Sequence, residues 1–377
     1  MISSQNQVCT HCVMDTTDPA ITFNSEGVCN HCRDYNKVAA IGIGSIDKGE
    51  NFLKEKTKQI KADGKSKGYD CMLGLSGGVD STYVAYLAKE YGLNPIVVHL
   101  DNGWNSELAA DNIKNTIRKL GFDLFTYVIN WEEFKDLQLS YLKASVIDIE
   151  AITDHAILAT LHKLAAKYKV KYILSGSNIV TEAILPNAWI TNKMDAENIK
   201  DIHNRFGELP LKTFPFIDKW DKLYYFKFLG IETVSVLDHV RFVKSEAKDI
   251  IAKKLKWRDY GGKHHESIFT RFYQGYILPV KFNVDKRKAH LSTLICSGQI
   301  SREEAIKELE LPIYDENQLK LDKEFVLKKL DLNESEFQTI LSAPVVPHST
   351  FKTEKSIFQH YPIFKLFRPL FKWVKNK

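Results

Sequence analysis

Short apolar runs alternate with longer amphipathic stretches between residues 69 and 175. The apolar runs predict strands at residues 69–75, 94–100, 124–129 and 170–175. The amphipathic stretches predict helices at residues 79–91, 108–120, 132–144 and 154–168. Near-continuous apolar strands that alternate with helices are typical of a parallel sheet with helices on both faces. The pattern therefore predicts an α/β fold for this part of the chain.

The pattern changes on either side of this block. A polar helix is predicted before it at residues 51–63, preceded by a glycine-rich linker at residues 41–45. Beyond residue 192 helical periodicity dominates, apart from one further strand at residues 232–237. We therefore expect a mainly helical C-terminal region.

The composition is that of an ordinary globular protein, with 44% hydrophobic and 26% charged residues among 377. No apolar run in the sequence approaches the roughly 18–20 residues that span a bilayer. The first seven residues have neither the basic start nor the apolar core of a signal peptide. These observations predict a cytoplasmic location.

The positive charge is concentrated at the C-terminal end. Residues 351–377 hold seven Lys or Arg and one acid, so the net charge of +5 divides into +6 on this segment and −1 on the other 350 residues. A body without excess positive charge is a poor electrostatic match for nucleic acid, and no nucleic-acid partner is expected.

The same C-terminal segment also contains seven aromatic residues, which leaves two interpretations open. One is contact with a membrane surface, and the other is docking onto a partner or onto the protein itself. Pro362 and Pro369 argue against one continuous amphipathic helix, which favours docking.

Four of the six cysteines form two CxxC pairs with sixteen residues between them: Cys9, Cys12, Cys29 and Cys32. This spacing matches a zinc site built from two knuckles. Four thiolates fill a tetrahedral site completely, so the predicted zinc is structural. Two disulfides, or the replacement of a cysteine ligand by His11 or His31, are the alternatives.

A glycine loop follows the first predicted strand and precedes a helix. It consists of Ser76, Gly77, Gly78, Val79, Asp80 and Ser81. Such a loop offers backbone N–H groups at a helix N-terminus, where anions bind, and glycines allow a phosphate to approach closely. A carboxylate beside phosphates needs a cation between them, so Asp80 is a candidate Mg²⁺ ligand. The alternative is a tight turn with a Ser or Asp helix cap.

These six residues resemble the PP-loop of the N-type ATP pyrophosphatases, which cleave ATP between the α and β phosphates. The resemblance implies an adenine nucleotide α-hydrolase-like fold, ATP as cosubstrate, and release of AMP and pyrophosphate. It assigns all six residues to the nucleotide, with catalytic roles for Ser76, Asp80 and Ser81. It also implies nucleotide contacts from His99, Asp101, Gly176 and Asn178, and a magnesium ligand in Glu182.

Two later stretches, at residues 260–271 and 285–305, resemble the N-acetyl sugar amidotransferase family of PP-loop enzymes. This resemblance implies a catalytic role for Lys263. It further implies that an anionic substrate is bound by His264, His265, Arg271, Lys286 and Arg287. The alternative is a zinc-containing PP-loop enzyme that modifies tRNA, such as a thiolase. The thiolases use extra cysteines and a further zinc knuckle, whereas only Cys71 and Cys296 lie outside the two pairs here.

The resemblance implies that an N-acetyl group of a UDP-linked diacetamido sugar, a uronic acid, becomes an acetamidine through an O-adenylated imidate. The pathway would be bacterial lipopolysaccharide O-antigen biosynthesis. The sequence shows no glutaminase signature, so ammonia is expected from a separate glutaminase with a cyclase-like channel protein. A homodimer is left open.

Together these observations predict four regions. They are a zinc module (residues 1–45), a PP-loop ATP pyrophosphatase domain (46–240), a mainly helical substrate or partner domain (241–350) and a basic aromatic tail (351–377).

Overall fold

The computed structural model of the protein describes residues 7–42, 46–261 and 266–354. Its N-terminal segment folds around the four paired cysteines, with short bridges between Val8 and Asp15 and between Phe23 and Cys29. Two helices follow, α1 (Asn30–Gly42) and α2 (Ile46–Gly64). The predicted linker at residues 41–45 is therefore wrong in its first two residues, because α1 continues to Gly42.

The central part of the chain forms the predicted alternation of strands and helices. Its elements are β1 (Cys71–Gly74), α3 (Val79–Glu90), β2 (Pro95–Asp101), α4 (Glu107–Leu120), β3 (Asp123–Val128), α5 (Trp131–Lys143), α6 (Ala151–Lys167) and β4 (Tyr172–Ser175). Three helices come next: α7 (Ile179–Glu182), α8 (Ala196–Phe206) and α9 (Lys219–Leu223). The last strand is β5 (Glu232–Ser235), within the predicted 232–237.

The remainder of the described chain is helical, as predicted. It contains α10 (Lys244–Leu255), α11 (Ile268–Phe272), α12 (Leu278–Phe282), α13 (Lys286–Cys296), α14 (Arg302–Glu310), α15 (Glu316–Lys329) and α16 (Glu334–Ser342). Two π-helical turns, Tyr224–Phe228 and Tyr273–Ile277, extend α9 and α11. Shorter 3-10 turns lie at Asn187–Trp189, Val236–His239 and His348–Thr350.

The five strands form one parallel sheet in the order β3-β2-β1-β4-β5. Successive side chains of a strand point to opposite faces, and the core divides accordingly. Met72 and Ile173 belong to the core that α6 covers, whereas Leu73 and Leu174 belong to the core under α2, α3 and α10. The prediction of a parallel sheet with helices on both faces is confirmed.

The N-terminal module packs against the C-terminal helices instead of standing apart. Val13 shares a small core with Leu291 of α13 and Ala305 of α14. Arg302 donates hydrogen bonds of 3.1 Å to the carbonyl oxygens of both Cys9 and Cys12. The two ends of the described chain therefore support each other.

The first residues of the predicted tail lie on the body of the protein. Phe351 is buried against Phe206 of α8, and Glu354 forms an ion pair with Lys222 of α9. The rest of the tail, residues 355–377, lies outside the described residues. Within the described ranges, the helices are all too short or too polar to cross a membrane.

Candidate active site

The glycine loop lies where the strand order of the sheet changes direction. The chain passes from β1 to β2 on one side and returns to β4 on the other, so the loops after β1 and β4 are neighbours. Ligands of open α/β sheets bind at this crevice, beyond the carboxyl ends of the strands. A cavity of about 210 Å³ lies there, lined by residues of both loops.

The loop has the geometry of an anion cradle. Helix α3 begins after Gly78 and carries no capping side chain, so the Ser or Asp cap considered above is wrong. Gly77 has a φ of +85°, and Ser76 Oγ lies 3.2 Å from Ser81 Oγ. Two hydroxyl groups and the N-terminus of α3 therefore face the cavity, an arrangement that suits a phosphate.

A second segment, the roof formed by residues 257–261, covers the loop from above. The indole N–H of Trp257 donates to the carbonyl oxygen of Gly77 at 2.9 Å, and the Val79 N–H donates to Tyr260 Oη at 3.3 Å. Burial raises the pKa of Tyr260 far above its usual value, so its hydroxyl stays protonated. The sequence contained the roof residues but gave no signal that they fold back onto residue 77.

Four carboxylates line the small cavity: Asp80, Glu182, Asp259 and Glu266. Asp80 and Glu182 were predicted from the sequence as magnesium ligands. Among the described residues, only cysteine-containing sets have ligand atoms close enough to form a closed metal cage. An open set of carboxylates nevertheless fits Mg²⁺, which is commonly bound by one or two carboxylates together with substrate phosphates.

Two lysines of α10 also reach the small cavity, and neither was predicted from the sequence. Lys248 pairs with Asp259 at 2.6 Å, while Lys244 lies beside His290, with Nζ 3.5 Å from Nε2. They come from a helix more than 160 residues beyond the loop, so no local pattern connects them with it. Their charge suits the phosphates of a nucleotide.

The residues predicted to contact adenine and ribose have structural partners. His99 Nδ1 donates to the carbonyl oxygen of Leu75, and Asp101 accepts the N–H of Gly103, both at 2.9 Å. Asn178 accepts the Thr181 N–H and caps α7. At Gly176 an added Cβ would lie 3.0 Å from the backbone of Asp80. His99 and Gly176 line a cavity, whereas Asp101 and Asn178 hold the loops in shape.

A much larger cavity, of about 1400 Å³, adjoins the small one. The two share Ser76, Ser81, Glu182 and Glu266 in their walls. One half of the large cavity is apolar and lies against the sheet, between Val98, Leu161 and Ile173. The other half is charged and contains Glu150, Asp154, Lys193 and Lys286.

The charged half contains groups whose titration is altered by burial. Burial raises the pKa of Glu150 to about 7, although the Thr270 hydroxyl donates to it at 2.7 Å. Burial also lowers the pKa of Lys286. Lys193 is held by Asp148 at 2.7 Å and by Asp154 at 3.2 Å. Glu150 and Lys193 were missed by the sequence analysis, which selected only Lys286 here.

The two predicted substrate arginines are engaged within the protein. Arg271 forms a two-point ion pair with Asp322 at 2.6 and 2.9 Å. Arg287 pairs with its helix cap Asp285 and donates to carbonyl oxygens at the end of α14. Both line the large cavity, but their guanidinium groups already have partners. The other predicted residues of this set, Lys263, His264 and His265, lie outside the described residues.

The four paired cysteines form a compact cluster that fits zinc. Three of their Sγ–Sγ separations are 3.8 Å (Cys9–Cys32), 3.7 Å (Cys12–Cys29) and 3.6 Å (Cys29–Cys32). A tetrahedron with Zn–S bonds of about 2.3 Å has an edge of roughly 3.8 Å. All six cysteines of the chain are described and none is in a disulfide, so the disulfide alternative is wrong.

His31 is not a ligand in this arrangement. Its Nε2 is hydrogen-bonded to the carboxylate of Asp18 at 2.6 Å, and a cysteine sulfur occupies each of the four ligand positions. The backbone N–H groups of Cys12 and Cys29 both donate to Cys9 Sγ, which supports a thiolate there.

Two family models match parts of the chain. Residues 45–199 match the model described as NAD synthase, and residues 266–366 match the model described as LPS biosynthesis protein WbpG-like, C-terminal domain. Among solved structures, NMN synthetase from Francisella tularensis superposes with a TM-score of 0.31 and 15% identity, over 61% of this chain and 92% of that one.

Three curated relatives illustrate the range of similarity. An uncharacterized protein of Methanocaldococcus jannaschii is 25% identical over 322 residues, which are 82% of this chain and 96% of the relative. The glutamine-hydrolyzing GMP synthase of Thermosipho africanus is 32% identical over 176 residues, 44% of this chain. The tRNA(Ile)-lysidine synthase of Thermus thermophilus is 29% identical over 114 residues, 30% of this chain. The chain covers only 32% and 21% of these two enzymes.

The fold, the loop and these similarities together support an ATP-utilising PP-loop enzyme of the synthetase or ligase type. Within that class, the C-terminal part of the chain is similar to the LPS biosynthesis protein WbpG. The resemblance described above for residues 285–305 lies within the same matched segment.

Proposed function

We propose that the protein is an ATP-dependent amidotransferase of bacterial O-antigen biosynthesis that acts in the cytoplasm. It would convert an N-acetyl group of a UDP-linked diacetamido sugar, a uronic acid, into an acetamidine. One observation carries the proposal. The phosphate-loop cavity adjoins the large cavity, and part of the wall of the large cavity is built by the segment that matches the WbpG-like model.

The size of the large cavity supports two ligands at once. Small-molecule sites usually enclose about 300–1,000 Å³, whereas this cavity has about 1400 Å³. Its apolar half beside Val98 and Ile173 suits the adenine of ATP, and its charged half suits a polar acceptor. The α-phosphate of ATP would then lie at the junction, near Ser76 and Ser81.

Adenylation solves the chemical problem of replacing the oxygen of an acetamide. The acetamido oxygen attacks the α-phosphorus, the bond to the bridging oxygen breaks, and pyrophosphate leaves. Ammonia then adds to the carbon of the O-adenylated imidate, and AMP leaves with the former acetamide oxygen. The amidine remains, and no protein nucleophile is needed. The contribution of the protein is therefore positioning and charge stabilisation.

The residues at the junction have distinct proposed roles. Ser76, Ser81 and the N-terminus of α3 hold the departing pyrophosphate, with Lys244 adding positive charge. Asp80 and Glu182 would hold Mg²⁺ against the phosphates. When bound, that ion supplies neutralisation of the charge that develops on pyrophosphate.

Glu150 is proposed as the base that removes the acetamide N–H proton during adenylation. Its carboxyl lies in the charged half of the large cavity, and its pKa of about 7 matches a proton acceptor that works near neutral pH. Lys286 lies in the same wall. It would offset the negative charge of a uronic acid or diphosphate.

Ammonia would come from a separate glutaminase with a cyclase-like channel protein. The purified protein is then expected to use ammonium salts but not glutamine. Efficient glutamine-dependent turnover by the pure protein would contradict this part of the proposal.

Pyrophosphate and AMP release with a panel of UDP-linked acetamido sugars, with bulk tRNA in a parallel arm, tests the function. The proposal expects release only with a diacetamido uronic acid and ammonia. Release with tRNA alone would favour the tRNA-modifying alternative. The partial similarity to tRNA(Ile)-lysidine synthase supports that alternative. Formation of ADP in place of AMP would exclude both.

A matched pair of substitutions locates the reaction. Asp80→Asn should lower pyrophosphate release by about 100-fold or more, because it removes a carboxylate at the phosphates, and should leave the zinc content unchanged. Asp123→Asn makes the same chemical change at the opposite edge of the sheet, where Asp123 accepts a hydrogen bond from Tyr69. It should leave the rate unchanged.

A further inference from the structure

The four-cysteine cluster has a fifth cysteine beside it. Cys296, the last residue of α13, places its Sγ 3.7 Å from Cys32 Sγ. His11 completes a second group, because the ligand atoms of His11, Cys32 and Cys296 all lie within 4.8 Å of one another. Cys32 therefore belongs to two sets of metal-ligating side chains.

We propose that His11, Cys32 and Cys296 form a second zinc site, which shares the Cys32 thiolate with the four-cysteine site. The geometry supports a shared ligand. The Cys32–Cys296 separation of 3.7 Å falls within the 3.6–3.8 Å range of the three Sγ–Sγ separations given above for the four-cysteine cluster. All of them agree with the edge of a zinc–sulfur tetrahedron, about 3.8 Å.

Charge supports the second ion as well. One Zn²⁺ with four thiolates carries a charge of −2, and all four cysteines are buried. A second Zn²⁺ with the Cys296 thiolate and a neutral His11 reduces the total to −1. Buried charge is unfavourable unless it is compensated, so the two-ion cluster is better suited to this interior than the single ion. Arg302, whose guanidinium donates to the carbonyls of Cys9 and Cys12, supplies further compensation.

The two sites differ in their access to solvent. The four cysteines of the first site are buried, whereas His11 is exposed and Cys296 is half-buried. With three protein ligands, the second ion keeps one coordination position for water or another exchangeable ligand. The second ion should therefore bind more weakly and exchange faster than the first.

A second zinc ion would connect two distant parts of the enzyme. Helix α13 begins at Lys286 in the wall of the large cavity and ends at Cys296. An ion held by Cys296 and His11 would fasten the far end of this helix to the N-terminal module.

Metal analysis of the full-length protein tests the proposal. Zinc bound per chain is measured by equilibrium dialysis against a several-fold excess of zinc, so that a fast-exchanging ion is counted. The wild type and Cys71→Ala, a control that removes a thiol of β1 far from the cluster, should each retain about two ions. Cys296→Ser and His11→Ala should each retain about one.

Cobalt substitution gives an independent readout. In the wild type the thiolate-to-cobalt charge-transfer absorbance should continue to rise through the second equivalent, and in Cys296→Ser it should stop at the first. If the wild type binds one ion even in excess zinc, Cys296 merely donates an S–H bond to the Cys32 thiolate, and the proposal is overturned. Equal ion counts in the wild type and both variants would overturn it too. His11 is exposed, so His11→Ala decides the question even if Cys296→Ser fails to fold.

Discussion

Gly77 adopts a backbone conformation that residues with a side chain avoid. Its φ is +85°, and an added Cβ would lie 2.8 Å from the carbonyl oxygen of Ala109. Gly121, at the end of α4, also has a positive φ of +68°, but no atom lies within 4 Å of its added Cβ. A comparison of alanine substitutions at these two positions therefore separates the cost of backbone strain from the cost of crowding.

Gly77→Ala should lower the free energy of unfolding by more than Gly121→Ala. Both changes carry the cost of a left-handed conformation, about 1–2 kcal/mol, but only the first forces the loop away from α4. Urea denaturation of the two variants measures the difference. Equal losses of unfolding free energy would show that the loop can move away from Ala109 without a further cost.

Glu150→Gln should lower the rate of AMP formation by about 100-fold, the lower end of a general base contribution. The pKa of Glu150 is raised to about 7, so the carboxylate forms as pH rises through that value. The wild-type rate should therefore increase from pH 6 to 8 and then level off, and the variant should lose this dependence.

A neighbouring carboxylate provides the control for Glu150. Asp154→Asn removes a negative charge from the same cavity, where Asp154 pairs with Lys193. It should change the KM of the acceptor and keep a pH dependence, but shift it to lower pH, because the charge of Asp154 contributes to the raised pKa of Glu150. If Glu150→Gln kept the pH profile of the wild type, Glu150 would be excluded as the base.

At the residue scale, the predictable part of the site is the part that is contiguous in sequence. The loop from Ser76 to Ser81 and the cysteine pairs could be identified because their spacing itself carries the chemistry. Glu150, Lys193 and Lys244 could not, because each is an ordinary polar residue on or beside a helix until the fold brings it to a cavity.

At the scale of elements, apolar runs were the reliable signal. The strand predicted at 94–100 is observed at Pro95–Asp101. Its first five residues are all buried, as expected for a strand that is covered on both faces of the sheet. The linker predicted from glycines at 41–45 was wrong at its start. Helix α1 packs against α13, and this tertiary contact overrides the low helix propensity of Gly42.

Arg302→Ala should accelerate the loss of zinc from the N-terminal module. Its guanidinium makes two hydrogen bonds to this module, each from a charged donor, and removal of such bonds commonly destabilises by about 1.5–3 kcal/mol. We expect roughly tenfold or faster zinc transfer to a chromophoric chelator. Arg241→Ala, which removes an exposed pair with Glu246, should leave the rate unchanged. Equal rates in both variants would mean that the apolar contacts of Val13 suffice.

At the scale of the whole molecule, the sheet could be predicted from the sequence, but the packing of the N-terminal module against the C-terminal helices could not. Lys288 of α13 forms an ion pair with Asp15 of the N-terminal module across 273 positions of the chain. No periodicity reports such a distant contact. The predicted boundaries of the four regions stay predictions, as do the separate partners and the acceptor sugar.

Truncation after Thr350 should destabilise the protein more than truncation after Glu354. The four residues between these points bury Phe351 against α8 and supply the ion pair of Glu354 with Lys222. Loss of a buried phenylalanine side chain costs about 3–5 kcal/mol. Thermal denaturation of the two truncated proteins measures this difference. Equal midpoints would contradict a structural role for residues 351–354.

The contacts of the roof and of the chain that follows it have a consequence for how the two proposed substrates affect each other's affinity. The chain contacts Gly77 through Trp257 and, thirteen residues later, Glu150 through Thr270. If the acceptor proposed above displaces Thr270 and this displacement reaches Trp257, the contact with Gly77 in the phosphate loop changes as well. Thermodynamic reciprocity then requires that each ligand change the affinity of the other by the same factor.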